Sequence, residues 1–291
     1  NIPKDASFWR KLFAFAGPGL MVAVGYMDPG NWATDIAGGA QFGYTLLSVI
    51  LISNLFAMIL QHLSLKLGIV AERDLAQACR DHFNPTTNFI LWVFCEIAIA
   101  ACDLAEVIGS AIALNLLFGI PLTWGVVITV VDVFLILFLQ AKGFRYLESI
   151  VAGLIFVILG CFIYEIILSK PDIFPILSGL VPQKEVITNP SMLYIAIGIL
   201  GATVMPHNLY LHSSIIPTRN YERTDEGKKE AIKFATIDST ASLFLAFFIN
   251  AAILIVAAAT FHTTGNQDIA DIHDAHKMLA PILGTTFASI F

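Results

Sequence analysis

The chain has 291 residues, of which 57% are hydrophobic and 13% are charged, and its formal net charge is −6. Soluble domains contain about a quarter charged residues, so this composition excludes a soluble globular protein and predicts one embedded in a bilayer. The sequence has no basic stripe, which argues against a nucleic-acid partner. The 4 cysteines fall in predicted helices or a loop, so a disulfide framework is not expected.

Uncharged apolar runs long enough to cross a bilayer recur along the chain. The runs at 36–65, 107–131 and 239–267 each exceed the roughly 20 residues that a transmembrane helix needs. The alternation of about ten residues that marks barrel strands is not seen. Gly, Pro and charged clusters delimit the predicted helices. These helices lie at 12–41, 44–69, 86–117, 120–141, 146–169, 191–217 and 231–261, and an eighth begins near 274.

Basic residues predict the orientation of these helices. With a cytoplasmic amino terminus, 13 of the 16 Lys and Arg lie in cytoplasmic segments, as the positive-inside rule requires. Lys170, Lys184 and Lys277 fall on the other side. The thirteen are Lys4, Arg10, Lys11, Lys66, Arg73, Arg80, Lys142, Arg145, Arg219, Arg223, Lys228, Lys229 and Lys233. We therefore predict a multi-pass protein of the cell membrane with a cytoplasmic amino terminus.

Proline interrupts the first and sixth predicted helices at matching places. The sequences DPGN at 28–31 and MPHN at 205–208 share the form X-Pro-X-Asn. Proline lacks a backbone N–H and clashes with the preceding turn, so each break leaves carbonyl groups free to bind a ligand. Because five spans precede the second break, the two broken helices run in opposite directions, as in an inverted repeat with a substrate site near the midplane. We assign 1–171, with helices 1 to 5, to a first repeat and 172–291 to part of a second.

Asp28 and Asn31 are the candidate ligands at the first break. A carboxylate inside a membrane span costs roughly 2.5 to 3.5 kcal/mol to insert and usually has a function. An ion pair is the alternative, but no Lys or Arg lies in the middle of a predicted span. Asn31 can turn its amide oxygen to the same ligand because side chains at i and i+3 are neighbours. Alternatively, Asn31 caps the helix that begins here.

Met205 is the residue at the second break that can discriminate between ions. A thioether adds little to the binding of Mg²⁺ or Ca²⁺ but is acceptable to softer transition-metal ions, so it lowers the relative affinity for hard ions. A methionine in an apolar helix is otherwise core filler, and its place before a helix-breaking proline favours the ligand role. The same break leaves the carbonyl of Ala202 without an intrahelical partner.

Histidines in the sixth span and carboxylates in the third are candidate proton carriers. His212 lies seven residues after the methionine, on nearly the same face and about 10 Å closer to the cytoplasm, whereas His207 points elsewhere. Either can bind metal, carry protons or hydrogen-bond to a neighbouring helix. Spacings of seven and three place Glu96, Asp103 and Glu106 on one helix face, which is typical of a proton relay. Pairing with arginines outside this chain is the structural alternative.

Other polar groups in the apolar segments are weaker signals. Asp132, Asn250 and His62 are single groups for which hydrogen bonding to another helix is the expected role. The tract DIADIHDAH at 268–276 has the composition of a metal-binding segment, but it is more simply the acidic first turn of the eighth helix.

Two stretches of the sequence resemble a known family. GPGLMVAVGYMDPGNWATDIAGGAQFGYTLL at 17–47 and ATVMPHNLYLHSS at 202–214 closely resemble the bacterial Nramp divalent-metal transporters, and the similarity covers the whole chain. The resemblance implies import of Mn²⁺ and Fe²⁺ with proton cotransport by alternating access. It also implies that the metal is a substrate rather than a cofactor.

The resemblance further assigns roles to individual residues. The implied metal ligands are Asp28, Asn31, Met205 and the carbonyl of Ala202. The residues implied in proton coupling and proton conduction are Asp28, His207, His212, Glu96, Asp103 and Glu106. The implied fold is an all-α inverted-repeat bundle of the sodium-coupled amino-acid transporter type, with discontinuous helices 1 and 6. Family members are longer, so the second repeat is expected to be incomplete here and the chain to be a fragment.

Two other classes of protein remain as alternatives. A sodium-coupled amino-acid or amine symporter on the same fold would favour small residues and exposed backbone groups at both breaks, because helix N-termini hold a substrate carboxylate. An intramembrane metalloprotease would need a motif such as HExxH, which the sequence lacks, so we predict no enzymatic activity. The expected partners are the metal ion, protons and the lipid bilayer, and no obligate protein partner is evident.

Overall fold

The computed structural model describes residues 7–141, 144–219 and 221–266, together with 269, 272, 275 and 276. Every regular element in these ranges is helical, which confirms the predicted all-α class. The eighth helix predicted near 274 lies outside the described residues. The α-helices are α1 Phe8–Phe15, α2 Pro18–Val24, α3 Pro29–Phe42, α4 Leu47–Val70, α5 Leu75–His82, α6 Pro85–Phe118, α7 Leu122–Ala141, α8 Phe144–Ser169, α9 Ile173–Gly179, α10 Glu185–Thr188, α11 Pro190–Thr203, α12 Pro206–Ile215 and α13 Asp225–Ala257. The 3-10 turns Gly25–Met27 and Ile216–Thr218 and the π-helical turn Ala258–His262 accompany them.

Six helical stretches of the described chain are long and apolar enough to cross a membrane, and Pro18–Met27 is a shorter apolar helix. The six are Leu47–Val70, Pro85–Phe118, Leu122–Leu139, Tyr146–Ser169, Pro190–Thr218 and Asp225–His262. They agree with the predicted spans, except that the last begins earlier than 231. It does so because the side chain of Thr224 accepts the backbone N–H of Gly227 and caps the charged first turns.

Short helices at the ends of the spans were not predicted. The predicted helix 12–41 is in fact divided near its start, because Gly17 adopts φ 128° and separates α1 from α2. Glycine tolerates this conformation, and Pro18 then begins α2 where its missing N–H has no cost. α5 begins with a capping box formed by Asp74 and Gln77 and lies between the second and third spans.

α13 forms the centre of the bundle, and it packs against α2, α3 and α4. Of the most apolar 18 residues of the span Asp225–His262, 72% are buried. The corresponding value for α6 is 6%, so α6 lies at the periphery. The close packing depends on small residues. A Cβ on Gly39 of α3 would lie 2.4 Å from the carbonyl oxygen of Leu254 of α13, so a larger residue cannot occupy this position without separating the helices.

Ion pairs gather the helix ends at one side of the bundle, which we call the first face. Lys11 of α1 pairs with Glu230 of α13, and Nζ of Lys228 lies 2.7 Å from Oε1 of Glu72. Because Lys228 donates to it, the pKa of the Glu72 carboxyl is below its usual range. Arg219, which follows α12, pairs with the side chain of Glu148 of α8.

The opposite side, the second face, holds the end of α3 and the end of α13. The backbone oxygen of Tyr44, just after α3, lies against Gly179 of α9, and His262 hydrogen-bonds to the carbonyl of Ala40. The first broken helix, α2 with α3, therefore runs from the first face to the second, and the other, α11 with α12, runs back. This confirms that the two breaks are antiparallel. The assignment of 1–171 and 172–291 to two repeats stays a prediction.

Candidate functional site

The first break is built around the backbone of Asp28. The chain leaves the 3-10 turn Gly25–Met27, and Asp28 takes an extended conformation with φ −71° and ψ 165°. Oδ1 of Asp28 accepts the backbone N–H of Asn31 at 2.9 Å and the Nδ2 amide of the same residue at 2.7 Å. Asp28 is thus the N-cap of α3. The alternative in which Asn31 caps this helix was wrong, because Asn31 lies within the first turn, after Pro29.

The second break lies between α11 and α12. Val204 and Met205 leave the helical conformation, and Pro206 begins α12. In a continuous helix the carbonyl of Ala202 would accept the N–H of residue 206, and proline has none. The carbonyl of Ala202 therefore has no intrahelical hydrogen bond, as predicted.

One amide group joins the two breaks. Nδ2 of Asn31 donates to Oδ1 of Asp28 and also, at 3.0 Å, to the carbonyl of Ala202. The hydroxyl of Thr203 donates to Oδ1 of Asn31 at 3.2 Å. Asn31 is fully buried, and 8% of Asp28 is exposed. The fold has thus brought together three of the four predicted metal ligands from segments more than 170 positions apart.

Met205 is held close to the same place by Asn208. Nδ2 of Asn208 contacts Sδ of Met205 at 3.5 Å, and Met205 is buried with 5% exposure. On its other side, Asn208 approaches the first break so closely that a Cβ on Gly25 would lie 2.6 Å from Nδ2. The two broken helices are thus in close contact at Gly25, and the thioether lies at their junction.

His212 faces α4 and is fully buried. Its Nδ1 lies 2.9 Å from Oε1 of Gln61, and Nε2 of Gln61 donates to the hydroxyl of Tyr26 at 3.0 Å. This series of hydrogen bonds runs from the first break toward the first face. Gln61 and Tyr26 were not predicted as site residues. A single glutamine in the middle of an apolar span was the signal that could have identified Gln61.

His207 points in another direction, as predicted, toward α6. It lines a cavity of about 210 Å³ together with Cys102, Asp103, Glu106 and Asn208. The thiol of Cys102 contacts Oε1 of Glu106 at 3.9 Å. Asp28 interacts electrostatically with His207, which connects this cavity with the first break.

Glu96, the third member of the predicted acidic face, does not line this cavity. It lies seven residues before Asp103 on α6, about two turns closer to the first face. The cavity therefore accounts for two of the three predicted carboxylates. The side chains of all three are exposed in the described chain.

Two buried carboxylates were missed by sequence reasoning. Asp35 of α3 is 1% exposed and Glu165 of α8 is fully buried, and none of their carboxylate oxygens has a hydrogen-bond partner in the structure as described. Asp35 lies seven residues after Asp28, so the two side chains share one helix face. An acidic residue at this spacing inside the same apolar segment was the available signal.

The weaker candidates take structural roles where the structure describes them. Nδ2 of Asn250 donates to the carbonyl of Tyr26 at 2.8 Å, and His62 hydrogen-bonds to Thr236 at 3.0 Å. The side chain of Asp132 and most of the tract 268–276 lie outside the described residues. Within the described ranges, no three His, Cys, Asp or Glu side chains converge on a point where a metal ion could bind.

A family model described as natural resistance-associated macrophage protein-like matches residues 19–291. The chain belongs to the Nramp family. A relative from Listeria welshimeri, named divalent metal cation transporter MntH, is 66% identical over 288 residues, which cover 99% of this chain and 64% of the relative. A relative of the same name from Nostoc is 65% identical over 289 residues, covering 99% of this chain and 65% of the relative.

A solved structure shares the fold. The chain matches the crystal structure of the Eremococcus coleocola manganese transporter with a TM-score of 0.86 and 46% identity, covering 100% of this chain and 63% of that chain. The chain therefore spans less than two thirds of the length of these proteins. They are named as transporters and not as enzymes, in agreement with the prediction of a protein without enzymatic activity.

Proposed function

We propose that the chain takes part in the import of divalent transition-metal ions, Mn²⁺ and Fe²⁺, with proton cotransport by alternating access. The observation that carries this proposal is the Asn31 amide, which joins the Asp28 carboxylate to the carbonyl of Ala202. The relatives are named divalent metal cation transporters and the solved structure a manganese transporter, which supports the same substrate class.

The proposed metal ligands are Asp28, Asn31, Met205 and the carbonyl of Ala202. In the structure, the NH₂ group of Asn31 is bonded to two of the proposed oxygen ligands. A half-turn of this amide would direct its oxygen to an ion between them and its NH₂ group to the hydroxyl of Thr203. A hydroxyl can accept as well as donate a hydrogen bond, so Thr203 can stabilise either orientation. One carboxylate, two neutral oxygens and one thioether suit a borderline transition-metal ion.

The proposed proton carriers are Asp28, His207, His212, Glu96, Asp103 and Glu106. Two features support this assignment: the cavity that His207 shares with Asp103 and Glu106, and the hydrogen bonds that connect His212 through Gln61 to Tyr26. Histidine is the side chain that most readily changes its charge near neutral pH.

We further propose that the first face is cytoplasmic and that the protein lies in the cell membrane. The positive-inside rule supports this orientation, because Lys11, Arg219 and Lys228 all lie at the first face. A sodium-coupled amino-acid symporter is less well supported. The N-terminus of α3, which such a protein would offer to a substrate carboxylate, is already capped by Asp28.

Replacing Asp28 with asparagine tests the proposed site. Asparagine caps a helix as well as aspartate, so Asp28→Asn keeps the fold but removes the charge. We expect the Kd for Mn²⁺, measured by titration calorimetry of the full chain in nanodiscs, to rise by at least about tenfold, equivalent to about 1.4 kcal/mol. Uptake of Mn²⁺ by proteoliposomes is expected to fall in parallel.

Asp81→Asn is the matched control, because Asp81 is a solvent-accessible carboxylate of α5 that pairs with Arg73 and Arg80. It is expected to leave Mn²⁺ binding unchanged. Equal Mn²⁺ affinities for the wild type and Asp28→Asn would remove Asp28 from the site and overturn the proposal.

A further inference from the structure

His262 connects the two helices that meet at the second face. It ends the π-helical turn Ala258–His262 that continues α13, and π-helical turns occur often at functional positions. Its Nδ1 lies 3.0 Å from the carbonyl oxygen of Ala40, in the last turn of α3. A carbonyl can only accept, so Nδ1 carries the hydrogen and donates it.

The carbonyl of Ala40 is one of the groups that a helix leaves without a partner at its C-terminus. The neighbouring carbonyls are satisfied by the chain itself: Gly43 donates to Gly39 at 3.0 Å and Thr45 donates to Phe42 at 3.4 Å. Ala40 instead accepts from the imidazole. His262 thus supplies a cap to α3 from a residue 222 positions away.

The imidazole also packs against the turn that ends α3. Gly43 has φ 59°, and a Cβ at this position would lie 3.2 Å from Cδ2 and 3.4 Å from Nε2 of His262. The ring is partly buried, with Nδ1 directed at Ala40 and Nε2 at the edge that faces Gly43. Nε2 is therefore free to take up a proton while Nδ1 keeps its hydrogen bond.

We propose that His262 is a positioning residue that holds the end of α3 against α13, and that protonation of its imidazole tightens this hold. The C-terminus of a helix carries partial negative charge, so a cation there is stabilising. A hydrogen bond from a charged donor is also stronger than one from a neutral donor. Protonation of the imidazole would add both effects, and histidine is the side chain that most readily changes its charge near neutral pH.

Among the described residues, no charged side chain hydrogen-bonds to the ring, and its hydrogen bond goes to the carbonyl of Ala40. The π-helical turn packs against α3 and α13. The titratable side chain of α3 is Asp35, Asp28 caps its first turn, and α13 carries no charged side chain between Asp238 and His262. Tyr44, in the turn after α3, interacts with Asp172 instead.

This inference rests on the proposed function, because Asp28 caps the start of α3 and Asn31 lies in its first turn. About 18 Å of rigid helix separates Asp28 from Ala40 at 1.5 Å per residue, so a contact at the far end fixes the direction of the whole element. In a transporter that alternates access, external acid would then favour the arrangement in which α3 is packed against α13.

Hydrogen–deuterium exchange of the peptide that contains Gly39–Tyr44 tests the inference without metal or transport. In the wild type, we expect protection at pH 5.5 to exceed protection at pH 7.5 by about two- to fivefold, after correction for intrinsic exchange rates. His262→Asn places an amide donor near the position of Nδ1 but cannot be protonated. It should keep the protection of the wild type at pH 7.5 and lose the pH dependence.

Two further variants complete the experiment. His262→Phe keeps a ring but has no donor, so protection should be low at both pH values. His82→Asn is the matched control, because His82 also hydrogen-bonds to a carbonyl, that of Ala78 within α5. Protection of Gly39–Tyr44 in this variant should equal that of the wild type at both pH values. The proposal would be overturned if protection in His262→Asn still depended on pH, or if protection in the wild type did not.

Uptake of Mn²⁺ separates this inference from the proposed function. With external pH varied, His262→Asn should transport Mn²⁺ with a flatter pH profile than the wild type. If Asp28→Asn leaves Mn²⁺ binding unchanged while exchange at α3 depends on His262, the proposed function fails and the contact stands. If Mn²⁺ binding requires Asp28 but the pH profile of His262→Asn matches the wild type, the proposed role of His262 in transport fails.

Discussion

Met205 is the one proposed ligand that distinguishes soft from hard metal ions. Its thioether is buried at the junction of the two breaks and contacts the amide of Asn208. Water and carboxylate oxygens bind Mg²⁺ and Ca²⁺ better than sulfur does, so a sulfur in place of an oxygen disfavours these abundant ions. The other proposed ligands, all oxygens, lack this discrimination.

Met205→Ala tests this role. We expect Mn²⁺ binding to weaken by no more than about tenfold, because the oxygen ligands remain, while Ca²⁺ and Mg²⁺ compete more strongly in proteoliposome uptake. Met192→Ala is the matched control, since Met192 is a buried methionine of α11 that packs in the core away from the break. Unchanged ion selectivity in Met205→Ala would exclude the thioether from the site.

The two broken helices owe their free carbonyls to proline. Pro29 and Pro206 both occupy the first position of a helix, where a missing N–H is tolerated. Each also denies a donor to the carbonyl four residues earlier, and at the second break this carbonyl is that of Ala202. Each break therefore supplies backbone carbonyl groups as well as polar side chains.

Pro206→Ala restores the missing donor. We expect α11 and α12 to become more continuous, with the carbonyl of Ala202 drawn into an intrahelical bond and the Kd for Mn²⁺ raised by about tenfold or more. Pro190→Ala, at the first position of α11, changes the same residue type at an ordinary helix start and should bind Mn²⁺ normally. Wild-type affinity in Pro206→Ala would show that this carbonyl is not a ligand.

Across the whole molecule, polar contacts at the first face tie the start of α2 to α13 and the end of α12 to α8. Asp238 of α13 accepts the backbone N–H groups of Gly17 at 3.3 Å and Gly19 at 2.7 Å. Arg219 pairs with Glu148 of α8, whose carboxylate would collide with a Cβ on Gly17. These contacts close the bundle around the start of the first broken helix.

Arg219→Met measures the contribution of this closure. It removes one partner of the buried carboxylate of Glu148, and we expect a loss of about 1 to 3 kcal/mol in the free energy of unfolding. The double variant Arg219→Met with Glu148→Met should recover most of the loss. Arg80→Met, which breaks the exposed pair with Asp81, should cost no more than about 1 kcal/mol. Unfolding titrations in mixed micelles provide the comparison. If the single and double variants lost the same free energy of unfolding, the loss would not come from the charge of Glu148.

Composition and local motifs predicted much of this molecule. Long apolar runs gave the spans, because a bilayer leaves few other ways to satisfy the backbone. The prolines marked both breaks, and Asp28, Asn31, Ala202 and Met205 lie where the breaks meet. Local signals failed for Glu165, since a single carboxylate in an apolar helix does not show what surrounds it. They also failed for α1, α5 and Gly17, where capping and one glycine conformation redirect the chain.

The sequence by itself determined the helical class, the alternation of spans between two faces and the residue types offered at each break. These follow from backbone hydrogen bonding in lipid and from the chemistry of proline, which act over a few neighbouring residues. The tertiary structure alone decided that the Asn31 amide reaches Ala202, that His212 pairs with Gln61 and that His262 caps α3. Such contacts depend on the packing of residues more than a hundred positions apart, and no local pattern encodes that distance.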